Sequence, residues 1–514
     1  MLITHDKIYL DATGRTTDAL LVRDGHIAAT GDKARQMHRA DEETITPDGA
    51  CLFPGLADAH CHLWGVGLRA GTVDVTGSES PEEVYRRVGA HNPSASPSGW
   101  VLGYGWDEHG WADGARLHRA EFDRLFPDTP VCLHRVDRHA VAVNSEALRR
   151  AGLADDFDPG GGGRAFRDED GKLTGVLVDE AILAMLDAIP ETSEDEDRRV
   201  FEHIARRFLG HGITSAHMAL TEVDRLSMLR DMAGADELPL RVYTIVNASD
   251  ERINEVLAAG PSHDPDGWLS IAAVKLFADG ALGSEGAHLL EPYKSGGRGL
   301  VMCEPEELTR QVGAFMDDGW QVAIHAIGDA GARDVLDAFA AVPRKRRDEL
   351  RPRLEHAQML TETDCIRLSE LSTIASIQPI HLRSDGAWAH QALSDAQLDR
   401  LYPWPTLAAH STLAAGSDFP IEDPNPWHGI ATAMTRKTTT GEAFFAEKAL
   451  TREQILAAYT TGAAYAAHWE DVLGKLDEGY VADVIALDRD VFEATAEEMW
   501  EMEVLGVWLG GEAV

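Results

Sequence analysis

Eight short apolar runs recur along this chain, with helix-patterned sequence between several of them, and few architectures can bury such a series. They are "GLADAHCH" (55–62), "GITSAHM" (212–218), "LRVYTIV" (240–246), "IAAVKLFADG" (271–280), "QVAIHAI" (321–327), "RLEHAQ" (353–358), "IASIQP" (374–379) and "TLAAGSD" (412–418). Amphipathic stretches such as "EPEELTRQVGAFMDDG" and "GARDVLDAFAAV" fall between them. Short buried strands separated by helices pair in parallel, and eight of them close into a (β/α)8 TIM barrel. The fold class read from the sequence is therefore α/β, built on that barrel.

Two departures from a plain barrel are visible. The first and second runs are separated from about residue 70 to 200, far too long for a βα loop. That gap holds strand and helix patterns of its own, "WVLGYGWDE" (100–108) and "PVCLHRVDRHAVAVNSEAL" (130–148), and reads as an inserted α/β subdomain after strand one. Both chain ends are strand-and-turn material: "DALLVRDGHIAATG" carries an Asp24-Gly25 hairpin signal, and "GYVADVIALD" and "VLGVWLGGEAV" are similar. A composite β-sandwich assembled from both termini follows. The expected division is 1–53 plus 470–514 for the sandwich, 54–70 plus 200–469 for the barrel, and 71–199 for the insertion. The Gly-rich "DPGGGGRAF" lacks the strand–GxxxxGK[ST]–helix context of a phosphate loop and reads as an ordinary loop.

Composition excludes several function classes. A formal net charge of −39 disfavours nucleic acid and anionic membrane as partners. No apolar run approaches the roughly 18 residues of a membrane span. Nine lysines stand against 38 arginines, a balance that would suit solubility at high salt. Five scattered cysteines fit a reducing compartment better than a disulfide framework. With a start, "MLITHDKIYLDATGR", that lacks a secretion-signal layout, the expectation is a cytoplasmic protein.

The chemistry-bearing residues fall near the C-terminal ends of the strand runs. The first run gives His60 and His62, two apart and so on one face. Later runs give Lys275, His325, His356 and Asp418. In a barrel these ends converge on one mouth, and imidazoles with a carboxylate there can hold a divalent metal. Each residue alone has a plain account: an incidental HxH pair, a hydrogen-bonded core histidine at 356, a turn cap at Asp418. Their joint placement favours the metal site. Lys275 stands among Ala273, Val274, Leu276 and Phe277, where an unpaired ammonium must lose its proton or find a partner. An ion pair with Asp279 is the plain alternative. Cys61 alternates with the two histidines and reads as packing rather than as a nucleophile.

The set "FPGLADAHCH", "VKLFADGALGS", "VAIHAIGD", "RLEHAQ", "SIQP" and "AAGSDFP" resembles the metal-dependent amidohydrolase superfamily. Within it the chain is similar to the amidohydrolase family 3 branch, which includes N-substituted formamide deformylases. The likeness covers nearly the whole chain, including "GYGWDE" and "DRHAVAVNSEAL" in the insertion, although "LADAHCH" replaces a commoner isoleucine- and serine-containing form. The resemblance implies that Lys275 takes up CO2 and becomes a carbamate bridging two divalent metals, with zinc expected. His60, His62 and Asp418 would hold one metal, and His325 and His356 the other. Asp418 would serve as general base and then general acid in hydrolysing a carbon–nitrogen bond other than a peptide bond, in an amide or N-substituted formamide. Trp106, Asp107, Arg135, His139 and Asn144 stand in the insertion segments most like the branch and are the expected contacts to a small-molecule substrate. Trp64, Trp111 and Trp404 are candidate apolar walls, with aromatics as subdomain core and His139 as a packing histidine the plain alternative, and the insertion is a candidate lid.

Two rival readings remain at this level. One is a deaminase of a cyclic amidine with a single metal and an unmodified Lys275. The other is a non-catalytic binding or regulatory protein on a decayed barrel, against which the complete ligand set argues. Metal stoichiometry separates all three. A homodimer is the default assembly.

Overall fold

Eight parallel strands hydrogen-bond side by side in chain order in the computed structural model. We label them β1 (Leu56–Cys61), β2 (Ile213–Thr221), β3 (Arg241–Asn247), β4 (Leu269–Phe277), β5 (Gln321–Ala326), β6 (Arg353–His356), β7 (Ile374–Ile377) and β8 (Leu413–Ala415). The structure describes residues 1–64, 72–91, 99–108, 111, 115–136, 140–159, 163–186, 188–190, 193–264 and 266–514. All eight expected strands are present, and the β/α barrel read from the sequence is the fold observed. Their residues are buried almost throughout, as parallel strands covered on both sides require. Helices between the strands bury one stripe each. In Pro305–Asp317, which packs on β5, the buried residues are Leu308, Val312 and Met316, spaced one helical turn apart.

The last seam is made differently. β8 is three residues long, and the barrel closes beyond it through backbone hydrogen bonds. Asp418 N–H donates to the His60 carbonyl and His62 N–H to the Phe419 carbonyl, each at 2.7 Å. A buried carboxylate reinforces the seam: Asp58 of β1 accepts the backbone N–H groups of His60 and Ser417, both at 3.1 Å, and the Ser417 hydroxyl. Gly416 is required at this crossing, because a β-carbon there would lie 2.4 Å from the His60 nitrogen and 2.6 Å from Asp58 Oδ1.

The chain separates into two units, residues 1–63 with 204–514, and residues 64–203. In the first unit, strands from both termini share one sheet. Cys51–Pro54 pairs with Val484–Leu487 on one side and Leu2–Tyr9 on the other, and Thr16–Arg23 and His26–Thr30 extend it. Asp24 and Gly25 take left-handed φ values of 49° and 77°, the turn their dipeptide favours. The ladders form a single sheet, which curls until His26 bridges Val481 and encloses Ile8, Leu20, Ile27, Leu52 and Val484. Both faces of the expected sandwich thus come from one sheet.

The second unit has a six-stranded sheet with an apolar core on each side. The Gly-rich stretch expected as a loop becomes strand from Gly163 to Arg167, and residues 160–162 lie outside the described residues. Among the described residues no helix is long and apolar enough to cross a membrane.

Candidate metal centre

Alternation along the barrel strands decides which side chains point inward. On β4, Lys275 faces the barrel interior, 1% exposed. Its Nζ lies 3.4 Å from His60 Nε2, and among the described residues it has no carboxylate partner within salt-bridge distance. The alternative ion pair with Asp279 is absent. Asp279 instead accepts the backbone N–H groups of Ile327, Gly328 and His288 at 2.8–3.0 Å. Burial lowers the Lys275 pKa to about 8, so a neutral amine is accessible near pH 7.

Asp418 stands at the centre of the cluster. Its Oδ1 lies 3.0 Å from His62 Nε2 and 3.6 Å from His60 Nε2, and its Oδ2 lies 3.4 Å from His381 Nε2. Two groups of donor atoms within mutual reach of a metal share this carboxylate, His60–His62–Asp418 and His356–His381–Asp418. The His325 ring packs 4.4 Å from that of His356, while its Nε2 lies 3.5 Å from both Asp279 Oδ1 and the Gly280 carbonyl. The structure therefore brings together all six residues expected from the sequence and adds His381; the Nε2 of His325 faces Asp279 and Gly280, which leaves Nδ1 as its nitrogen for ligation.

Protonation suits ligation. Burial, helped by the Lys275 charge, lowers His60 to about 4 and His325 to about 3, and burial holds His356 well below its usual value. Burial would raise Asp418, but hydrogen bonds from His381 and His62 keep it well below the carboxylate range. Burial likewise opposes the charge on His381, yet Asp418 and Glu422 raise it to about 10. His356 Nδ1 is buried and has no hydrogen-bond partner among the described residues. Neutral His60, His325 and His356 near an ionised carboxylate, with one buried nitrogen unsatisfied, fit a divalent cation, whereas His381 holds its proton against Asp418 and Glu422.

Behind the cluster lies a buried ionic support. His60 Nδ1 donates to Glu355 Oε2, which fixes the proton on Nδ1 and leaves the Nε2 lone pair facing Asp418. Glu355 Oε1 accepts from Arg353 Nε at 2.7 Å, and Arg353 also reaches the Ala59 carbonyl at 2.7 Å and His217 Nδ1 at 3.0 Å. Burial raises the Glu355 pKa, but Arg353 and His60 override it and hold the carboxyl well below its usual range. Cys61 is sealed behind β1, its thiol donating to the His217 carbonyl at 3.6 Å and its pKa driven well up by burial. It is packing, as the alternation implies.

The insertion residues divide. Asn144 is a correction: it is fully buried, accepts from Val131 and Ala147 N–H, donates to the Phe126 and Thr129 carbonyls, and has no polar atom left for a substrate. Trp106 is buried with its indole N–H on the Leu133 carbonyl at 3.3 Å, and Arg135 pairs with Glu108 at 3.1 Å. Asp107 is exposed, and His139 lies outside the described residues. Trp64 stacks on Phe201, while Trp111 and Trp404 are core residues rather than walls of a cleft.

Comparison with known proteins agrees with this geometry. A family model described as "Amidohydrolase family" matches residues 43–514. The chain is similar to a putative amidohydrolase, YtcJ, of Bacillus subtilis (strain 168), at 31% identity over 98% of this chain and 96% of that protein. It is similar to an N-substituted formamide deformylase of Arthrobacter pascens, at 25% identity over 99% and 97%. Among solved structures, an uncharacterized metal-dependent hydrolase from Pyrococcus horikoshii OT3 matches with TM-score 0.80 at 25% identity, covering 96% of this chain and 99% of that one.

Proposed function

The chain belongs to the amidohydrolase family, and on that premise we propose that it hydrolyses a carbon–nitrogen bond in a small amide or N-substituted formamide. The observation that carries this reading is the convergence of His60, His62, His356 and His381 on the two oxygens of Asp418. In the proposed site His60, His62 and Asp418 would hold one divalent metal, and His325 and His356 a second, with His381 beside them against Asp418. Zinc fits the imidazole and carboxylate donors. A divalent ion bound there lowers the pKa of water and polarises a carbonyl.

The chain's own residues do the rest. Asp418 accepts a proton from the attacking water and returns it to the departing nitrogen, as general base and then general acid. Glu355 keeps the proton of His60 on Nδ1, so that Nε2 stays available. The buried Lys275 amine, neutral in part near pH 7, attacks CO2 through its lone pair and releases a proton, becoming an anionic carbamate between the two donor groups. That step supplies the negative charge that two cations beside a single ionised aspartate would otherwise lack.

Elemental analysis of the purified protein, coupled to a screen of N-acyl and N-formyl amines, tests the reading. Two ions per chain with turnover on one of these amides is the expected result. One ion per chain, an unmodified Lys275 and turnover of a cyclic amidine would move the assignment to a mononuclear deaminase.

A further inference from the structure

A separate cavity of about 420 Å³ lies inside the inserted unit, with all its described lining in residues 64–203. That volume is within the range of small-molecule sites. Its walls combine an apolar surface, led by Trp106, Phe166 and Val178, with an unusual set of charges. Arg116 and Arg164 each place a guanidinium carbon 4.4 Å from the centroid of the same Phe166 ring, so the two like charges are at most twice that distance apart. Neither has a carboxylate partner among the described residues, in a chain whose formal net charge is −39. The third arginine, Arg135, is paired with Glu108 Oε1 at 3.1 Å. The other oxygen of that carboxylate, Oε2, is buried and accepts no hydrogen bond among the described residues.

Each of these features is costly alone. An aromatic face attracts each cation, which does not remove the repulsion between two of them. A buried acceptor left unsatisfied has given up its water without a replacement. An anion between the guanidinia and an N–H donor at Glu108 Oε2 would satisfy both at once. A ligand that carries both groups on one small frame, with an apolar remainder for Trp106 and Val178, is an amino acid. We propose that the inserted unit binds a free apolar α-amino acid, its carboxylate held by Arg116 and Arg164 and its ammonium by Glu108.

The test uses the full-length protein and three ligands in isothermal titration calorimetry. L-phenylalanine carries both charges, phenethylamine lacks the carboxylate, and 3-phenylpropanoate lacks the ammonium. Saturable binding of one phenylalanine per chain is expected, at least about tenfold tighter than either analogue, which is 1.4 kcal/mol. Arg164→Gln should reduce phenylalanine to the affinity of phenethylamine, and Glu108→Gln to that of 3-phenylpropanoate, with melting curves confirming that each variant is folded. The proposal is overturned if phenylalanine gives no saturable heat, if the three ligands bind alike, or if folded Arg164→Gln binds phenylalanine unchanged. Preference for 3-phenylpropanoate would mark a simple carboxylate site and equally overturn it. The three-ligand comparison on the unmodified protein decides the matter even if a variant fails to fold.

Discussion

Asp418 donates its backbone N–H to the carbonyl of His60 at 2.7 Å, so the hydrogen bond that closes the barrel joins two of the residues that converge on the proposed metal site. Seam and site therefore depend on one another. The Asp418 carboxylate reaches His60, His62 and His381 only because the chain leaves extended geometry just after β8, with Asp418 at a left-handed φ of 59°. A residue outside glycine at such a φ stores strain that its surroundings must hold in place, a common feature of functional sites.

Gly416→Ala tests that dependence. Its β-carbon would meet the His60 nitrogen and Asp58 Oδ1 at contact distances no real side chain tolerates, so the seam must open. A loss of about 1–3 kcal/mol in guanidinium denaturation is expected, with a fall in metal content. Gly313→Ala is the control. It lies in the helix Pro305–Asp317, its β-carbon would meet nothing within 4 Å, and it should gain about 0.5–1 kcal/mol. Equal effects at the two glycines would refute the seam argument.

Glu355→Gln tests the ionic support. The amide keeps the volume but loses the charge that orients His60 and balances Arg353, both of which are fully buried. Loss of such a partner behind a metal-ligating histidine lowers metal affinity by about 10–100-fold. Competition with a chelator measures it. An unchanged affinity would mean that His60 is oriented by packing alone.

Most of the barrel was legible because its strands are short, almost entirely apolar and bounded by helical sequence, so length and period agree. His60, His62, Lys275 and His325 were legible for the same reason, each standing where alternation points it inward. His381 was not, because it opens the helix His381–Ala392 beyond β7, where strand alternation says nothing. "QPIH" offered a histidine just past a strand end, which was the only available signal. Glu355 was hidden by its neighbour. Adjacent strand residues face opposite sides, so by alternation alone choosing His356 excludes Glu355 from the interior. His356 escapes that rule with a left-handed φ of 73°, and both side chains reach the cluster. Asn144 failed as a substrate contact because likeness of sequence does not separate a helix-capping asparagine from one that binds a ligand.

Acid should destabilise the fold through histidines held neutral by full or partial burial, His217 and His468. Burial lowers His468 to about 4, and burial with the nearby Arg353 charge holds His217 well below its usual value. Below the unfolded pKa of 6.5 the unfolded chain binds protons that the folded chain refuses, so this stability is complete above pH 6.5. It is lost as pH falls toward about 4, at no more than about 1.4 kcal/mol per pH unit for each histidine. His468→Asn should flatten the dependence of the denaturation midpoint on pH across that window. Asparagine suits the left-handed φ of 59° at this position, so the backbone need not change. An unaltered slope would show that His468 titrates alike in both states.

Asp418→Asn should separate chemistry from architecture. Asparagine matches aspartate in size, tolerates the left-handed backbone at 418 and keeps the N–H that bonds to the His60 carbonyl. The seam and the melting temperature should therefore change little. What disappears is the ionised oxygen pair facing three imidazoles, and with it the group assigned to take a proton from water and pass it to the leaving nitrogen. Loss of general acid–base action lowers kcat by about 10²–10⁴-fold. The measurement is kcat at saturating metal, with bound metal quantified in the same sample, so that weakened ligation is not mistaken for lost proton transfer. Turnover within a few-fold of the unmodified enzyme, with metal bound, would assign the proton to another group, and His381, 3.4 Å from Asp418 Oδ2, would then be the residue to replace.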